Sequence, residues 1–331
     1  MLKVALIGCG KWGKNYVNAV NESKLGCITS VFTSETVGQL TKVGSKIIQE
    51  PQSDIAFQAE IVAEELCRLK VDAAVVATHP PWTETLTLSV LARGISVMAE
   101  KPFSFASKPL DLIDKLTARG THCPIFLINH QHLFSDAVSL MSDRLEQAQI
   151  CRIIAKAGGF GPFRDYSPMW DYGPHDLSLI SFFTKSRLEL IDYRKRSFED
   201  GYRESIAFTC GCNTFALLSA WNNRAPKVHR VSVKGNVDNE AFELIYDDFD
   251  ARGRLRINGD FPAIPYKPPL TKAVHQFLST VIDGSAYSDL RFGTYLARQY
   301  TNLLHRTNST KSFESSKVIT HSAKKSISTY G

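Results

Sequence analysis

Two groups that can exchange a proton stand four positions apart in the stretch MWDYGPHDLSLISFF, residues 169–183. They are Asp171 and His175, separated by a glycine and a proline and followed by an apolar run. An imidazole has an ordinary pKa near ~6.5, so it can take or release a proton at neutral pH, and a nearby carboxylate can orient it. A plainer interpretation is open as well, in which Asp171 caps a helix, Pro174 occupies its first turn and His175 lies on the surface.

A third reactive group, Lys101, lies near the end of the strand-like run ISVMAEKP, residues 95–102. A lysine ammonium can hydrogen-bond a reacting oxygen and stabilise negative charge on it. The alternative is a solvated lysine at a strand end. Ligands of open parallel sheets bind at the carboxyl ends of the strands, however, and this favours a functional role for Lys101.

Three glycines, Gly8, Gly10 and Gly13, form the motif GCGKWG directly after an apolar strand and before a helical pattern. In that context the motif predicts a turn that lets the backbone approach a pyrophosphate, whose charge is favoured at the helix N-terminus. A purely structural turn is the alternative, although it would cost conformational entropy without a gain. About 20 residues beyond the last glycine, where an acid would bind the ribose, the chain has Thr33 and Ser34, which favours NADP slightly over NAD.

The elements that must position these groups follow two different patterns. Up to about residue 130, short apolar strands alternate with helices, which predicts a parallel sheet covered on both faces. Within that part, a helical pattern follows the second strand to about residue 46. Beyond residue 130, longer stretches alternate polar and apolar residues, which predicts one large, open, mostly antiparallel sheet.

The predicted fold class is therefore α/β, with two domains. Residues 1–124 are expected to form an NAD(P)-binding Rossmann domain with a doubly wound parallel sheet. Residues 125–331 are expected to form an α/β domain that binds substrate and joins subunits. The tail from residue 308 is rich in Ser, Thr and Lys, and we expect it to be loosely ordered.

The composition argues against several classes of function. The 331 residues are 44% hydrophobic and 22% charged, and no apolar run approaches the ~20 residues of a membrane span. A net charge of +6 without a basic stripe argues against a nucleic-acid partner. Seven scattered cysteines indicate reduced thiols and a cytoplasmic location. His130 and His132 have no companion carboxylate in the sequence, so no metal site is expected.

Taken in order, these motifs resemble those of the glucose–fructose oxidoreductase and inositol dehydrogenase family (Gfo/Idh/MocA). The resemblance runs from residue 1 to about residue 305. It implies a Rossmann domain joined to an α/β domain whose open sheet often serves as a subunit interface, and hence a homo-oligomer. The motifs that carry it are GCGKWG at 8–13, VVATHPP at 75–81, EKP at 100–102, DYGPH at 171–175 and LTKAVHQFLSTVIDG at 270–284.

The resemblance also implies roles for individual residues, and it makes Lys101, Asp171 and His175 the catalytic set. The Gly- and Pro-rich segment before Asp171 suits a polar or anionic substrate or is a surface connection, and its candidate contacts are Arg164, Tyr166 and Trp170. Trp12 is expected to stack near the ribose or nicotinamide, or simply to pack. The expected cofactor contacts are Gly8, Gly10, Lys11, Trp12, Gly13, Thr33, Ser34, Thr78, Pro80, Glu100 and Lys101.

These expectations predict an NAD(P)-dependent oxidoreductase. It would transfer a hydride between the nicotinamide and a carbinol or carbonyl carbon of a sugar, sugar nucleotide or cyclitol. One alternative is a reductase of C=N bonds on the same fold, and another is a dinucleotide-binding regulator without turnover. The presence of all three residues, Lys101, Asp171 and His175, favours carbinol chemistry.

Overall fold

A parallel sheet forms the first part of the chain. Its six described strands are β1 (Leu2–Ile7), β2 (Gly26–Thr33), β3 (Gly44–Ile47), β4 (Ala73–Val76), β5 (Ser96–Ala99) and β6 (Phe126–Ile128). They lie in the order β3-β2-β1-β4-β5-β6, and every neighbouring pair is parallel. The structure is a computed structural model that describes residues 1–33, 44–47, 55–117, 123–160, 166–198, 201–211, 213–251, 253–284 and 292–305.

Helices cover both faces of this sheet, and its central strands β4 and β5 are therefore buried at every residue. One face packs against α2 (Ile55–Arg68), α3 (Pro80–Ala92) and α4 (Lys108–Thr117). The other face packs against α1 (Lys14–Ser23) and α8 (Pro269–Asp283). Helix α8 begins with a proline and ends at Gly284, whose φ of 62° suits a glycine C-cap.

The structure corrects one predicted element. Residues 44–47 form β3, which pairs with β2 in parallel register, so the helical pattern expected to continue to about residue 46 is wrong for these residues. The short segment GSKI has no strong periodicity of its own, and pairing with the edge of β2 determines its conformation. Residues 34–43 of the same expected helix lie outside the described residues.

A second sheet of seven described strands follows, as the alternating pattern predicts. Its strands are β7 (Gln149–Gly159), β8 (Leu188–Ser197), β9 (Tyr202–Cys210), β10 (Thr214–Asn222), β11 (Val228–Val237), β12 (Glu240–Asp247) and β13 (Leu255–Ile257). They lie in the order β13-β12-β11-β7-β10-β9-β8. The central pair β7 and β10 is parallel, and the other neighbours are antiparallel.

Among the described residues, helices cover one face of the second sheet. That face packs against α5 (Asp136–Leu145), α6 (Pro168–Asp171), α7 (Gly173–Thr184) and a helix over 292–305, here α9. The opposite, open face leaves large apolar side chains such as Ile191 and Phe215 exposed. Within the described ranges, no helix combines the length and apolar character that crossing a membrane requires.

The predicted fold class is confirmed: a doubly wound parallel sheet is joined to an α/β domain with a large, mostly antiparallel sheet. The division between residues 124 and 125 stays a prediction. The next strand, β6, still pairs with β5 of the first sheet, and α8 packs beside α1 although it follows the second sheet in the chain.

Candidate active site

The glycine loop, residues 8–13, folds tightly against the end of β4. Gly8 has a φ of 89°, and a Cβ there would lie 2.6 Å from the carbonyl oxygen of Ala77. A Cβ on Gly13 would lie 2.1 Å from the carbonyl oxygen of Gly8, so both positions require glycine. Lys11 and Trp12 are exposed on the loop, and α1 has no acidic residue in its first turn. The N-terminus of α1 therefore suits a dinucleotide pyrophosphate.

The carboxylate of Glu100 ties this loop to the sheet. The residue is buried after β5, and its Oε1 accepts hydrogen bonds from Trp12 Nε1 at 2.8 Å, from Asn129 Nδ2 at 2.9 Å and from the Tyr16 hydroxyl. Its Oε2 accepts from the backbone N–H of Lys101 at 3.2 Å. Burial, and then the charge of Glu100, raise the pKa of Tyr16 well above its usual value, so this hydroxyl stays a donor. Glu100 thus holds the loop, α1 and the end of β5 together.

Other expected cofactor residues lie at the same edge of the first sheet. Thr33 is buried at the end of β2, and Pro80 begins α3. The Cγ2 atom of Thr78 would lie 2.8 Å from a Cβ on Gly8, so Thr78 packs under the glycine loop. Ser34 lies outside the described residues. The described positions share the carboxyl ends of the strands, where ligands of such sheets bind.

Lys101 joins the two domains. It follows β5, and its Nζ donates to the backbone carbonyl of Asp171 and lies 3.2 Å from Oδ1 of the same residue. The side chains of Lys101 and Asp171 are only 14% and 20% exposed, so their attraction is less screened than that of a surface pair. Two residues that are 70 positions apart are thereby brought together, as the catalytic hypothesis requires.

Helices α6 and α7 position Asp171 and His175 near Lys101. Asp171 is the last residue of α6, and α7 begins after Tyr172 with Pro174 in its first turn, as expected. The N-cap of α7 is Tyr172, which makes no side-chain cap bond. Asp171 therefore lies one residue before the cap position of this helix, and its carboxylate pairs with Lys101.

His175 lies in the first turn of α7, and its ring stands edge-on to that of His132, with the ring centres 4.6 Å apart. Its Nδ1 is buried without a hydrogen-bond partner among the described residues, so the surface interpretation is wrong. Burial, and then the positive charge of Lys101, lower the pKa of His175 well below its usual value. The ring is therefore uncharged at neutral pH, the state in which it can accept a proton.

An ionic cluster lies next to His175 on the covered face of the second sheet. His229 Nδ1 is 2.6 Å from Asp248 Oδ2, and its Nε2 is 3.1 Å from Asp176 Oδ1. The Tyr246 hydroxyl donates to Asp248 Oδ1 at 2.6 Å, and His132 Nδ1 is 3.0 Å from that hydroxyl. We call the five residues, His132, Asp176, His229, Tyr246 and Asp248, the His229 cluster.

The two histidines of this cluster have opposite electrostatic surroundings. Burial opposes a charge on His229, but hydrogen bonds with Asp176 and Asp248 raise the pKa of its ring to about 9. Burial, and then the charge of His229, lower the pKa of His132 well below its usual value. Burial also opposes a charge on Asp248, yet the hydrogen bond with His229 holds the pKa of this carboxyl well below its usual range. At neutral pH His229 is thus charged and His132 is not.

Sequence reasoning missed most of this cluster. His132 was expected to lack a carboxylate neighbour, which is wrong in space: Asp248 Oδ2 lies 3.3 Å from its Nδ1. A signal for His229 was present in HRVSV. There the histidine occupies an inward position of an alternating strand whose other inward residues, Val231 and Val233, are apolar and fully buried. A polar residue at such a position needs a buried partner.

The expected substrate contacts form an aromatic group between the domains. Trp170 meets Phe105 edge-on, with ring centres 4.7 Å apart, and Tyr300 at 5.0 Å. Tyr166 lies 5.9 Å from Phe105, so Tyr166 and Trp170 share one neighbour in the segment that follows Lys101. Arg164 lies outside the described residues.

Comparison with solved structures supports the fold over nearly the whole chain. A 3-ketoreductase from Actinomadura kijaniata, in complex with TDP-benzene and NADP, has a TM-score of 0.73 and 17% identity, covering 91% of this chain and 95% of that one. A UDP-N-acetylglucosamine 3-dehydrogenase from Acidithiobacillus ferrooxidans has a TM-score of 0.67 and 16% identity, covering 92% and 96%. A scyllo-inositol dehydrogenase from Lactobacillus casei with NAD(H) and scyllo-inositol has a TM-score of 0.68 and 14% identity, covering 91% and 94%.

Identities this low show the fold alone, and no curated protein matches the chain in sequence. Family evidence comes from the first domain. The family model described as "Oxidoreductase family, NAD-binding Rossmann fold" (GFO_IDH_MocA) matches residues 2–126, which hold the glycine loop, Glu100 and Lys101. The resemblance read from the motifs is thereby confirmed for the first domain, which matches the Gfo/Idh/MocA oxidoreductases and their NAD-binding Rossmann fold.

Proposed function

We propose that the chain is an NAD(P)-dependent oxidoreductase that transfers a hydride between the nicotinamide and a carbinol or carbonyl carbon of a sugar, sugar nucleotide or cyclitol. One observation carries the proposal. Lys101, at the carboxyl edge of the dinucleotide-binding sheet, is bonded to Asp171, four residues before the uncharged His175 of the second domain. An ammonium, a carboxylate and a neutral imidazole thus meet where the two domains face each other.

The chain fits a dinucleotide. The glycine loop and the N-terminus of α1 would hold its pyrophosphate, because Gly8 and Gly13 have no room for side chains and the first turn of α1 has no acid. When bound, the nicotinamide supplies the hydride acceptor or donor. Glu100 keeps the loop in place through Trp12 and Tyr16.

His175 acts as the base that takes the hydroxyl proton of the substrate in the oxidative direction and returns it in the reductive direction. Its lowered pKa keeps it ready to accept that proton at neutral pH. The Lys101 ammonium stabilises the negative charge that develops on the reacting oxygen. Asp171 orients Lys101 through its carboxylate and its backbone carbonyl, so that the ammonium keeps one position.

Cofactor choice follows from the end of β2. Thr33 occupies the place where an acidic residue would bind the ribose 2′-hydroxyl and repel a 2′-phosphate. We therefore propose NADP as the better substrate of the two dinucleotides. Related folds have been solved with either cofactor, NADP in the 3-ketoreductase and NAD(H) in the scyllo-inositol dehydrogenase.

The substrate class is proposed from the aromatic group and from the related structures. Tyr166 and Trp170 offer ring faces of the kind that pack against the apolar face of a sugar ring. Of the three structures compared above, one is a dehydrogenase of a sugar nucleotide, one holds scyllo-inositol, and the 3-ketoreductase holds TDP-benzene. Arg164, in the segment before Tyr166, would bind an anionic group such as a diphosphate.

The test is turnover of a substrate panel. Purified chain would be mixed with NADP⁺ or NAD⁺ and free sugars, inositols and sugar nucleotides, and separately with NADPH or NADH and a set of imines. The absorbance of reduced nicotinamide would be followed in each case. Oxidation of at least one carbinol, faster with NADP⁺, is the expected result. Reduction of imines alone would identify the C=N reductase, and dinucleotide binding without turnover of any compound would identify the regulator. Either result would overturn the proposal.

We also propose a cytoplasmic homo-oligomer that assembles through the open face of the second sheet. The exposed Ile191 and Phe215 supply apolar contact area there, and the six described cysteines are free thiols, as in a reducing compartment. Sedimentation equilibrium should give a mass above that of one chain, and Phe215→Glu should lower it. A monomeric parent chain would contradict this assembly.

A further inference from the structure

Three imidazole rings, one of them that of the proposed base His175, lie side by side. The ring centre of His132 is 4.6 Å from that of His175 and 4.2 Å from that of His229. The ring centres of His175 and His229 are 6.3 Å apart. At such distances in a buried site, a proton on one ring strongly disfavours a proton on either of the others.

The carboxylates determine which ring holds the proton. Both nitrogens of His229 face carboxylate oxygens, Asp248 at 2.6 Å and Asp176 at 3.1 Å. A carboxylate only accepts hydrogen bonds, and a ring that donates from both nitrogens is an imidazolium. Asp176 is fully buried and the Asp248 side chain is 13% exposed, so solvent screens both contacts little. Burial raises the pKa of Asp176 above its usual value, and the hydrogen bond with His229 limits that rise.

The hydrogen bonds of His132 indicate a protonation state different from that of His229. The single hydroxyl hydrogen of Tyr246 goes to Asp248 Oδ1 at 2.6 Å. At 3.0 Å from that hydroxyl oxygen and 3.3 Å from Asp248 Oδ2, the Nδ1 of His132 must therefore be the donor. The ring of His132 then needs no second proton, and it stands neutral between His229 and His175.

We infer that the three rings share one proton, that Asp176 and Asp248 keep it on His229, and that this buried charge adds to burial and to the Lys101 ammonium in holding His175 in the neutral form that accepts the substrate proton. His229, Asp176 and Asp248 are positioning residues in this arrangement, because none of them needs to touch substrate. The inference rests on the proposed function only for the role of His175 as the base. The protonation pattern itself is independent of any reaction.

Other charged or titratable groups act on His175 or on the residues around it, and they enter the same balance. They come from the end of β5, from α6 and α7, from the segment after β6, and from β11, β12 and the residues that follow β12. Burial, and then Lys101, lower the pKa of His130 to about 4, so this ring is neutral as well. The described groups are Lys101, Asp171, Asp176, His130, His132, His229, Tyr246, Asp248, Arg254 and, on α9, Tyr300.

A metal ion does not explain this geometry. His132, His229 and Asp248 are residue types that can bind metals, and their polar atoms lie within 4.8 Å of one another. However, His229 Nδ1 and Asp248 Oδ2 are already in direct contact at 2.6 Å. A metal ion bound by both atoms would lie about 2 Å from each of them, and its two ligand atoms would then be farther apart than this contact.

Two substitutions of His229 distinguish the effect of its positive charge from the effect of its packing. His229→Gln removes the positive charge, whereas His229→Lys keeps a cation between the two carboxylates. We would measure kcat/KM in the oxidative direction against pH for the parent chain, for both variants, and for His275→Gln as a control at an exposed histidine of α8. Melting curves would first establish that each variant is folded.

The parent chain and the His275 control should lose activity only well below pH ~6.5. In His229→Gln the acidic limb of the pH profile should move upward by about one pH unit, because one of the charges that oppose protonation of His175 is gone, while His229→Lys should keep the parent limb. An unmoved limb in His229→Gln, or an equal shift in both variants, would overturn the inference. Equal shifts would assign His229 a merely structural role.

Nitrogen-15 NMR of the histidine rings tests the same inference without turnover. At about pH 7, His229 should carry protons on both nitrogens, His132 on Nδ1 alone, and His175 should be neutral. A neutral His229, or a stoichiometric metal ion on its ring, would overturn the inference. If the spectra show the expected pattern while no substrate is oxidised, the proposed function fails and the protonation pattern stands.

Discussion

The two sheets of this chain hold their reactive groups in different ways. In the first sheet, the glycine loop, Thr78 and Lys101 lie where parallel strands end, and main-chain turns position them. In the second sheet, His229 lies on the covered face of β11, below α7, and its state depends on the carboxylates of Asp176 and Asp248. In the first domain, backbone geometry thus positions the functional groups. In the second domain, neighbouring charged side chains determine their protonation.

This difference divides the expected effects of substitutions. Changes at the first sheet should weaken cofactor binding, because the cofactor depends on the shape of turns. Changes at the second sheet should slow turnover while leaving cofactor affinity intact. Lys101 is the informative exception, since it belongs to the first domain but is bonded to Asp171 of the second.

The largest effect is expected at His175 and Lys101. His175→Ala and Lys101→Ala should each lower kcat by about 10²–10⁴, since each removes a group that acts on the transferring proton or the reacting oxygen. Lys101→Arg should not restore activity, because a guanidinium differs from an ammonium in shape and pKa. Asp171→Asn should cost less, because that residue orients and transfers no proton.

Steady-state kinetics paired with cofactor titrations would measure these effects. The control is His275→Ala, at an exposed position of α8, which should behave like the parent chain. Cofactor affinity should be unchanged in the His175 variant. Full activity of His175→Ala would contradict the mechanism, and a loss of cofactor binding in that variant would break the division between the domains.

Next in size is the effect of a side chain in the glycine loop. Gly10→Val should weaken dinucleotide binding by about 100-fold or more, because the backbone can no longer approach the pyrophosphate. Isothermal titration with NADPH would measure the affinity, and a melting curve would establish that the domain is intact. Unchanged affinity in a folded Gly10→Val variant would show that the phosphate turn is assigned wrongly.

A smaller effect is expected at Glu100. Glu100→Gln should lower the free energy of unfolding by about 1–3 kcal/mol, because an amide cannot accept from all four donors that now bond the carboxylate. Cofactor affinity should fall with it, since Trp12 and Tyr16 lose their common anchor. Chemical denaturation and titration would measure the two quantities, and a variant that keeps both would remove Glu100 from the description of the loop.

The smallest effect is expected at the end of β2. Thr33→Asp should weaken NADPH binding by about tenfold and leave NADH binding nearly unchanged, because a carboxylate repels a 2′-phosphate but accepts from a 2′-hydroxyl. Thr33→Ser is the matched control and should keep the parent preference. A parent chain that already binds NADH much more tightly than NADPH would show that another group contacts the ribose.

The first domain could be predicted from sequence because its signals are local. The glycine loop, the strand before it and the helix after it occupy one continuous stretch, and Lys101 follows β5 within a short motif. Apolar strands alternating with helices leave few other arrangements. The exception was β3. Its four residues, GSKI, are too few to show a strand pattern, and the helical pattern that precedes them was extended over them.

The mostly antiparallel sheet of the second domain was predicted from its alternating polar and apolar residues. The contacts between its buried charged residues were not predicted. Asp176 and His229 are 53 positions apart, and no spacing rule connects them. Asp171 was placed in the site through its motif, whereas its bond to Lys101 depends on how the two domains meet. Local patterns indicate which residues face inward, but they do not indicate which inward charges meet.

Trp12 also makes the glycine loop an optical reporter. It is one of four tryptophans, and it is 44% exposed while its indole N–H is fixed on Glu100 at 2.8 Å. Indole emission overlaps the absorption of reduced nicotinamide, so a reduced dinucleotide on this loop should quench Trp12 and emit in its place. The difference between the parent chain and Trp12→Phe would separate the signal of Trp12 from those of Trp82, Trp170 and Trp221. Trp12 fluorescence would then measure cofactor binding to the glycine loop continuously.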